Sequence, residues 1–360
     1  MKIAAAWEMK LLSGNASVRN HSYEYMRSVA CIAIVLMHMM NVAEILHRSE
    51  ISVDADQFSM MIVYLCMWAV PLFVMVSGAL ILDPSKKITL KDLYGKYIFR
   101  VFAALVLFGL IFRLVDMLMN GEAFSLGLIG NAFYKIFTGS SWSHLWYLYL
   151  MIGIYVLLPA YRAIVSALDA KTFLYILIAY GFFLSLLPLT EIFGLKSGFH
   201  LQTSAVYLLY FFAGYGVKSG ALNIKKSMSV ILLVLSTVLI IVFCILRYRL
   251  GLAGLDAMLG SYSSPLVVIQ SISLFSLIYN EEAIEQKDGV LSKVISTFDR
   301  SSFGIYLIHM IFLRLFLRHM QIDPYSEGIY NFVLVYFATL IISFAISVFL
   351  HFIPGIKRLI

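Results

Sequence analysis

YEYMRSVACIAIVLMHMMNVAE, residues 23–44, is an apolar run about as long as the ~20 residues an α-helix needs to cross about 30 Å of hydrocarbon, yet it carries an arginine and a histidine. Arg27 and His38 are eleven residues apart, about three helical turns, so they share one face and stand roughly 16 Å apart along the axis. With Tyr25 near one membrane surface, Arg27 stays by the headgroups and His38 lies past the bilayer middle. A titratable side chain at that depth is costly and marks a functional site by default. The alternative is a neutral His38 giving one hydrogen bond to a neighbouring helix. For Arg27 the plain alternative is a snorkelling anchor at a helix end.

Such runs recur along the chain. Of 360 residues, 61% are hydrophobic and 13% charged, whereas soluble domains carry roughly 25% charged residues. A solvated globule is excluded, and the fold class is all-α: a polytopic membrane protein of about ten transmembrane helices. The apolar runs place these near 24–46, 60–82, 98–119, 143–162, 172–189, 204–218, 228–248, 264–279, 302–320 and 329–352, the sixth and eighth being short. Assigning Lys and Arg outside these spans to alternate sides puts eighteen on one, from Lys2 and Lys10 to Lys357 and Arg358. The other side has six: Arg48, Lys135, Lys196, Arg247, Arg249 and Arg318. By the positive-inside rule both termini are cytoplasmic. A tail over 1–22, a membrane domain over 23–355 and a tail over 356–360 complete the expected organisation. No removable signal peptide is visible, so the first helix is expected to anchor itself.

Cys31, Cys66 and Cys244 fall inside apolar runs and read as small hydrophobes. The net charge of +7 is not matched by a basic stripe with interleaved aromatics on a soluble element, so no nucleic-acid partner is expected. Membrane lipids are the expected surroundings. No Pro- or Gly-rich linker and no internal repeat divides the chain.

The other chemistry-bearing residues cluster in five places. AVPLFVMVSGALILD, 69–83, brings Ser77 and Gly78 to a place where backbones approach closely; small residues there are mostly packing devices. DPSKKITLKDLYGKYIFR, 83–100, gathers Lys86, Lys87, Lys91, Lys96 and Arg100 ahead of the third span. It is either a lipid-facing topology loop or a site for the phosphates of an anionic ligand, with Lys96 and Arg100 one turn apart. Arg113 and Asp116, three apart, are expected to pair on one helix face. GSSWSHLWYLYLMIGIYVLLPAYR, 139–162, offers His144, Trp146, Tyr147 and Tyr149, an interfacial belt or a stacking surface for a sugar. SSFGIYLIHMIFLRLFLR, 301–318, puts His309 and Arg314 inside a span, where Arg314 must face the bundle or snorkel outward.

At these residues the sequence resembles acyltransferase family 3, membrane acyltransferases that include O-acetyltransferases of bacterial surface polysaccharides. The resemblance covers nearly all of residues 22–355. It rests on the Arg, ten residues, His spacing of Arg27 and His38, followed in order by Pro71 to Gly78, the basic entrance to the third span, His144 to Tyr147, and Ser302 to His309. It implies transfer of an acyl group, usually acetyl from cytoplasmic acetyl-CoA, to a hydroxyl of a glycan or its lipid-linked precursor across the membrane. Acetyl-CoA is then a co-substrate, and no metal is expected. In that frame His38 is the general base, and Arg27, Lys96 and Arg100 hold donor phosphates, or Arg27 instead orients the thioester. Ser77, His144, Trp146, Tyr147 and His309 are the expected acceptor-side residues. The chain departs from the pattern at KYIFR, where members often carry closely spaced arginines and Lys96 supplies only a point charge. It is most similar to the short standalone members of bacterial inner membranes.

The rival reading from the residues is a transporter or flippase of a lipid-linked sugar, since buried Arg and His also line transport pathways. The paired half-repeats common in transporters are not apparent.

Overall fold

The computed structural model describes residues 20–47, 51–195, 206–250, 253–280, 289–326 and 329–360. Most of the N-terminal tail, and Arg48, Lys196 and Lys287 of the charge tally, lie outside them. The described residues form helices and no strand.

In chain order the helices are α1 (His21–His47), α2 (Val53–Cys66), α3 (Ala69–Ile81), α4 (Phe99–Asn120), α5 (Leu126–Phe137), α6 (Trp146–Val156), α7 (Leu158–Ala167), α8 (Ala170–Gly181), α9 (Val206–Lys218), α10 (Lys226–Leu250), α11 (Ala253–Leu259), α12 (Pro265–Ile278), α13 (Val290–Leu313) and α14 (Tyr330–Leu350). Among the described residues seven helical stretches are long and apolar enough to cross a membrane, and the bent pair α6–α7 makes an eighth. That pair turns by 55° at Leu157, just ahead of Pro159, whose ring and missing N–H break the helical ladder. The expected ten are not reached by length. At the sixth and eighth positions stand α9 and α12, of 13 and 14 residues. Among the described residues they are shorter than a full crossing, and the amphipathic α5 was not foreseen. The chain is a multi-pass membrane protein.

Burial sorts the helices. More than half of the apolar window is buried in α1 (56%), in α2–α3 (61%) and in the stretch containing α13 (61%), against 22–28% in those containing α4, α8, α10 and α14. The first three are the inner helices; the others present most of their apolar surface outward, as helices bathed in lipid do.

Two contacts fix the centre. α3 packs on α9 through reciprocal glycines: a Cβ on Gly78 would collide with the Phe211 carbonyl, and one on Gly214 with that of Met75. Close approach of this kind is the packing role of small residues in membranes, where no hydrophobic effect drives helix association. α1 and α13 lie parallel, linked in constant register. Ser296 donates to Glu24, Arg27 to Asp299, and Cys31 to the Ser302 carbonyl; His38 meets His309, every pair being 271 or 272 residues apart.

The loop after α3 is clamped rather than loose. Arg162 donates to the carbonyls of Ile81 and Lys86, and Lys218 pairs with Asp83 at 2.7 Å. Burial would raise the Asp83 carboxyl, but Lys218 and the Ser85 hydroxyl and amide outweigh it and hold the group at about 2.

Candidate active site

The α1–α13 register builds the site as two polar rungs. At the lower rung the Arg27 guanidinium grips Asp299 with both prongs, Nε to Oδ1 at 2.6 Å and Nη2 to Oδ2 at 2.7 Å. A fork-on-carboxylate pair is the geometry Arg supplies and Lys does not. About three turns on, at the upper rung, His38 Nδ1 stands 2.7 Å from His309 Nε2, the ring planes 5° from parallel.

The hydrogen bonds of the upper rung assign the tautomers. His309 Nδ1 lies 3.1 Å from the Ile305 carbonyl, which can only accept, so Nδ1 carries the proton and Nε2 of the neutral ring is an acceptor. His38 Nδ1–H must then donate to it. The lone pair left on His38 is at Nε2, in a ring held by its own helix and its partner. His309 is fully buried and His38 partly exposed, so the free nitrogen belongs to the more accessible ring.

Below lies a cavity of about 920 Å³, near the top of the roughly 300–1,000 Å³ range of ligand pockets. Six strong cations line it, Arg27, Lys86, Lys96, Arg100, Arg300 and Arg358, against the single acidic side chain Asp299. Since Asp299 is committed to Arg27, the remainder is strongly positive. Lys96, 75% exposed, also pairs with Asp92 at 2.6 Å, and Arg100 donates to the Leu359 carbonyl and lies over the Phe303 ring. A π-helical turn over Leu93–Ile98 lets Gly95, Lys96 and Tyr97 all reach the wall; such bulges recur at functional sites. Away from these cations the wall is mostly apolar and aromatic, with Ile34, Phe73, Tyr147, Tyr155 and Tyr306 beside the hydroxyl of Ser77.

Ile34 is one turn before His38 and Tyr306 one turn before His309. The histidine pair therefore sits about a turn, roughly 5 Å, beyond these lining residues and is not itself in the wall.

The other expected residues distribute unevenly. Ser77, whose hydroxyl donates to the Phe73 carbonyl, and Tyr147 share the cavity with Arg27, Lys96 and Arg100. His144 joins the histidine pair: its ring is 5.7 Å from that of His309, its carbonyl accepts from Tyr306, and neither ring nitrogen meets a partner at hydrogen-bond geometry, the Leu307 backbone being beside it. Trp146 packs instead with Tyr207 and Tyr262, outside the cavity wall. Among the described residues no group of three or more His, Cys, Asp or Glu is arranged to hold a metal ion.

The expected Arg113–Asp116 pair does not form. Arg113 turns to Glu122 at 2.5 Å, and Asp116 takes Arg314 at 2.9 Å and the Trp142 indole N–H at 3.1 Å. Asp116 finds partners on other elements that align better than a neighbour one turn away. Arg314 is thereby held to the bundle, stacked on Trp142. Sequence reasoning missed Asp299, Tyr306 and Trp142. Asp299 carried a signal, an acid heading the apolar run that contains His309.

The fold and site define a helical membrane protein with a histidine pair at the end of a cation-lined cavity. Residues 20–351 match the family model described as the acyltransferase domain, and the chain belongs to acyltransferase family 3. Comparison with curated proteins and with solved structures gives no match.

Proposed function

We propose that the chain is an O-acyltransferase that moves an acyl group, acetyl first, from a cytoplasmic acyl-CoA to a hydroxyl of a cell-surface glycan or its lipid-linked precursor, in the inner membrane. The observation that carries this reading is the directed chain Ile305 carbonyl, His309, His38, which leaves an unprotonated Nε2 on an oriented imidazole. The cavity supports the donor class. Its cations suit the phosphates of coenzyme A, and its apolar and aromatic stretch suits a thin pantetheine arm carrying a thioester toward Tyr147 and Tyr306.

His38 Nε2 takes the proton of the acceptor hydroxyl as that oxygen bonds to the acyl carbon. The imidazolium is stabilised by its Nδ1–H···Nε2 bond to His309. It returns the proton to the sulfur as the carbon–sulfur bond breaks, leaving an ester and a free thiol. Arg27, braced by Asp299, presents its remaining N–H groups at the cavity wall, while Lys96, Arg100, Arg300 and Arg358 supply charge for the phosphates. His144 and Trp146 lie on the side from which the acceptor arrives.

Transfer of radiolabelled acetyl from acetyl-CoA into glycolipid and polysaccharide, by membranes holding the wild type or His38→Ala at equal abundance, tests it. Label with wild type alone supports the mechanism. Equal label removes His38 from the chemistry, and no label from any acyl-CoA removes the donor assignment.

A further inference from the structure

A second, smaller cavity lies at the other end of α4. Arg100 marks the large cavity and Asp116 the small one, sixteen residues or about 24 Å along the helix. The small cavity measures about 120 Å³, far less than the large one and enough for one oxyanion.

Its lining includes Arg113, Asp116, Lys135, Ser140, Ser141 and Arg314, three cations to one carboxylate. Asp116 is engaged by Arg314 and Trp142, and Arg113 by Glu122 and Asn131, so these groups are fixed. Lys135, half-buried on α5, has no ion-pair partner among the described residues. The pocket is thus a held frame with one ammonium that feels the Glu122 carboxylate but makes no ion pair with it, and with a net positive charge. Arg314 is five residues beyond His309, roughly 8 Å further along the chain from the large cavity.

The geometry points to an oxyanion subsite for the acceptor: the small cavity binds a phosphate group of the glycan or of its lipid carrier, holding the adjoining sugar within reach of the histidine pair. The assignment rests on the acyltransferase reading for its purpose but not for its binding chemistry. A phospholipid headgroup carries the same phosphate, and the test separates the two.

The full chain is held in dodecyl maltoside, a detergent without phosphate, and labelled with an amine-reactive ester, and the rate at Lys135 is read by peptide mass spectrometry with exposed Lys87 as reference. Inorganic phosphate, against chloride at equal ionic strength, is expected to slow labelling at Lys135 about fivefold and leave Lys87 unchanged. Equal rates at Lys135 with and without phosphate would overturn the subsite. Protection already complete in nanodiscs containing phosphatidylglycerol without added phosphate would assign the pocket to lipid and overturn the acceptor role. In transfer assays Lys135→Ala is expected to raise KM about tenfold for a phosphate-bearing acceptor, with kcat unchanged and a neutral acceptor unaffected. An equal rise for both acceptors, or none, would also overturn it. Should wild type transfer to no acceptor, the acyltransferase reading fails while Lys135 protection still reports on the pocket.

Discussion

His38 and His309 meet edge to edge, Nδ1 to Nε2 at 2.7 Å, in nearly coplanar rings supplied by two parallel inner helices. The contact is directional, because the Ile305 carbonyl fixes the proton on the far side of His309 and so decides which nitrogen of His38 stays bare. A proton gained at that bare nitrogen makes the hydrogen bond to His309 charge-assisted and stronger. The second histidine therefore acts on the first through orientation and through stabilisation of its charged form, the service an aspartate gives in a hydrolase triad.

From this follows a graded series. His38→Ala is expected to lower kcat by about 10²–10⁴, the usual worth of a positioned base. His309→Ala should cost less, and His309→Gln less again, since the amide oxygen can still accept from His38 Nδ1. The double variant His38→Ala with His309→Ala should be no slower than His38→Ala alone, because groups acting as a unit are not additive. Single-turnover acyl transfer measures all four, and a fully additive double loss would separate the two residues.

Arg27 and His38 were legible in the sequence because both lie on one apolar run, where the helical period places them on one face. Asp299 was not, since its pairing arises from the α1–α13 register across 272 residues, which no local pattern encodes. Arg113 and Asp116 misled for the converse reason: the i,i+3 spacing permits a pair, but Trp142 and Arg314 from other elements offer Asp116 better geometry. The count of ten is not confirmed, because α9 and α12 are shorter, among the described residues, than a bilayer is thick. The small and large cavities were foreseen only as separate charges, because a cavity is a property of several helices at once.

Asp299 is nearly buried, so removing it leaves the Arg27 guanidinium without its counter-charge. Asp299→Ala is expected to cost about 3 kcal/mol, the lower end of the range for breaking a buried pair since the Arg27 side chain is 27% exposed. Replacing both, Arg27→Met with Asp299→Leu, should recover much of that stability while abolishing transfer. Thermal unfolding in detergent reads the first quantity and acetyl transfer the second. Arg27→Lys, which cannot grip both carboxylate oxygens, should fold but lose activity.

The α3–α9 contact leaves no room for a methyl group at either glycine. Gly78→Ala and Gly214→Ala should each destabilise by about 1–3 kcal/mol, as overpacking does. Both act by pushing the same two helices apart, so the double variant should lose less than the sum. Unfolding midpoints of the three variants decide it; strict additivity would mean the two collisions relax independently.

Asp83 sets a pH signature on the loop that carries Lys86. Its carboxyl is depressed to about 2, so its contribution is present above the ordinary carboxylate range near pH 4 and is lost as pH falls through about 2. Asp83→Asn should therefore lower stability by a constant, small amount at neutral pH, the pair being partly exposed. The difference from wild type should close between about pH 4 and pH 2. A difference that persists at pH 2 would trace the effect to packing instead of charge.

Arg100 and Lys96 differ in how firmly the protein holds them, and donor binding should register the difference. Lys96 is 75% exposed and already pairs with Asp92, whereas Arg100 lies against Phe303 with one N–H on the Leu359 carbonyl and the rest of its fork in the cavity wall. A charge-assisted hydrogen bond to phosphate is worth roughly 1.5–3 kcal/mol, so Arg100→Ala should raise KM for acetyl-CoA by about tenfold or more. Lys96→Ala should raise it only a few-fold, since the Lys96 charge is already met by Asp92. Acetyl-pantetheine, which has the thioester but no phosphates, makes the control: its KM should be the same with wild type and with Arg100→Ala. An Arg100→Ala defect of equal size with both donors would place Arg100 in the architecture of the cavity mouth and leave the phosphates to Arg300 and Arg358.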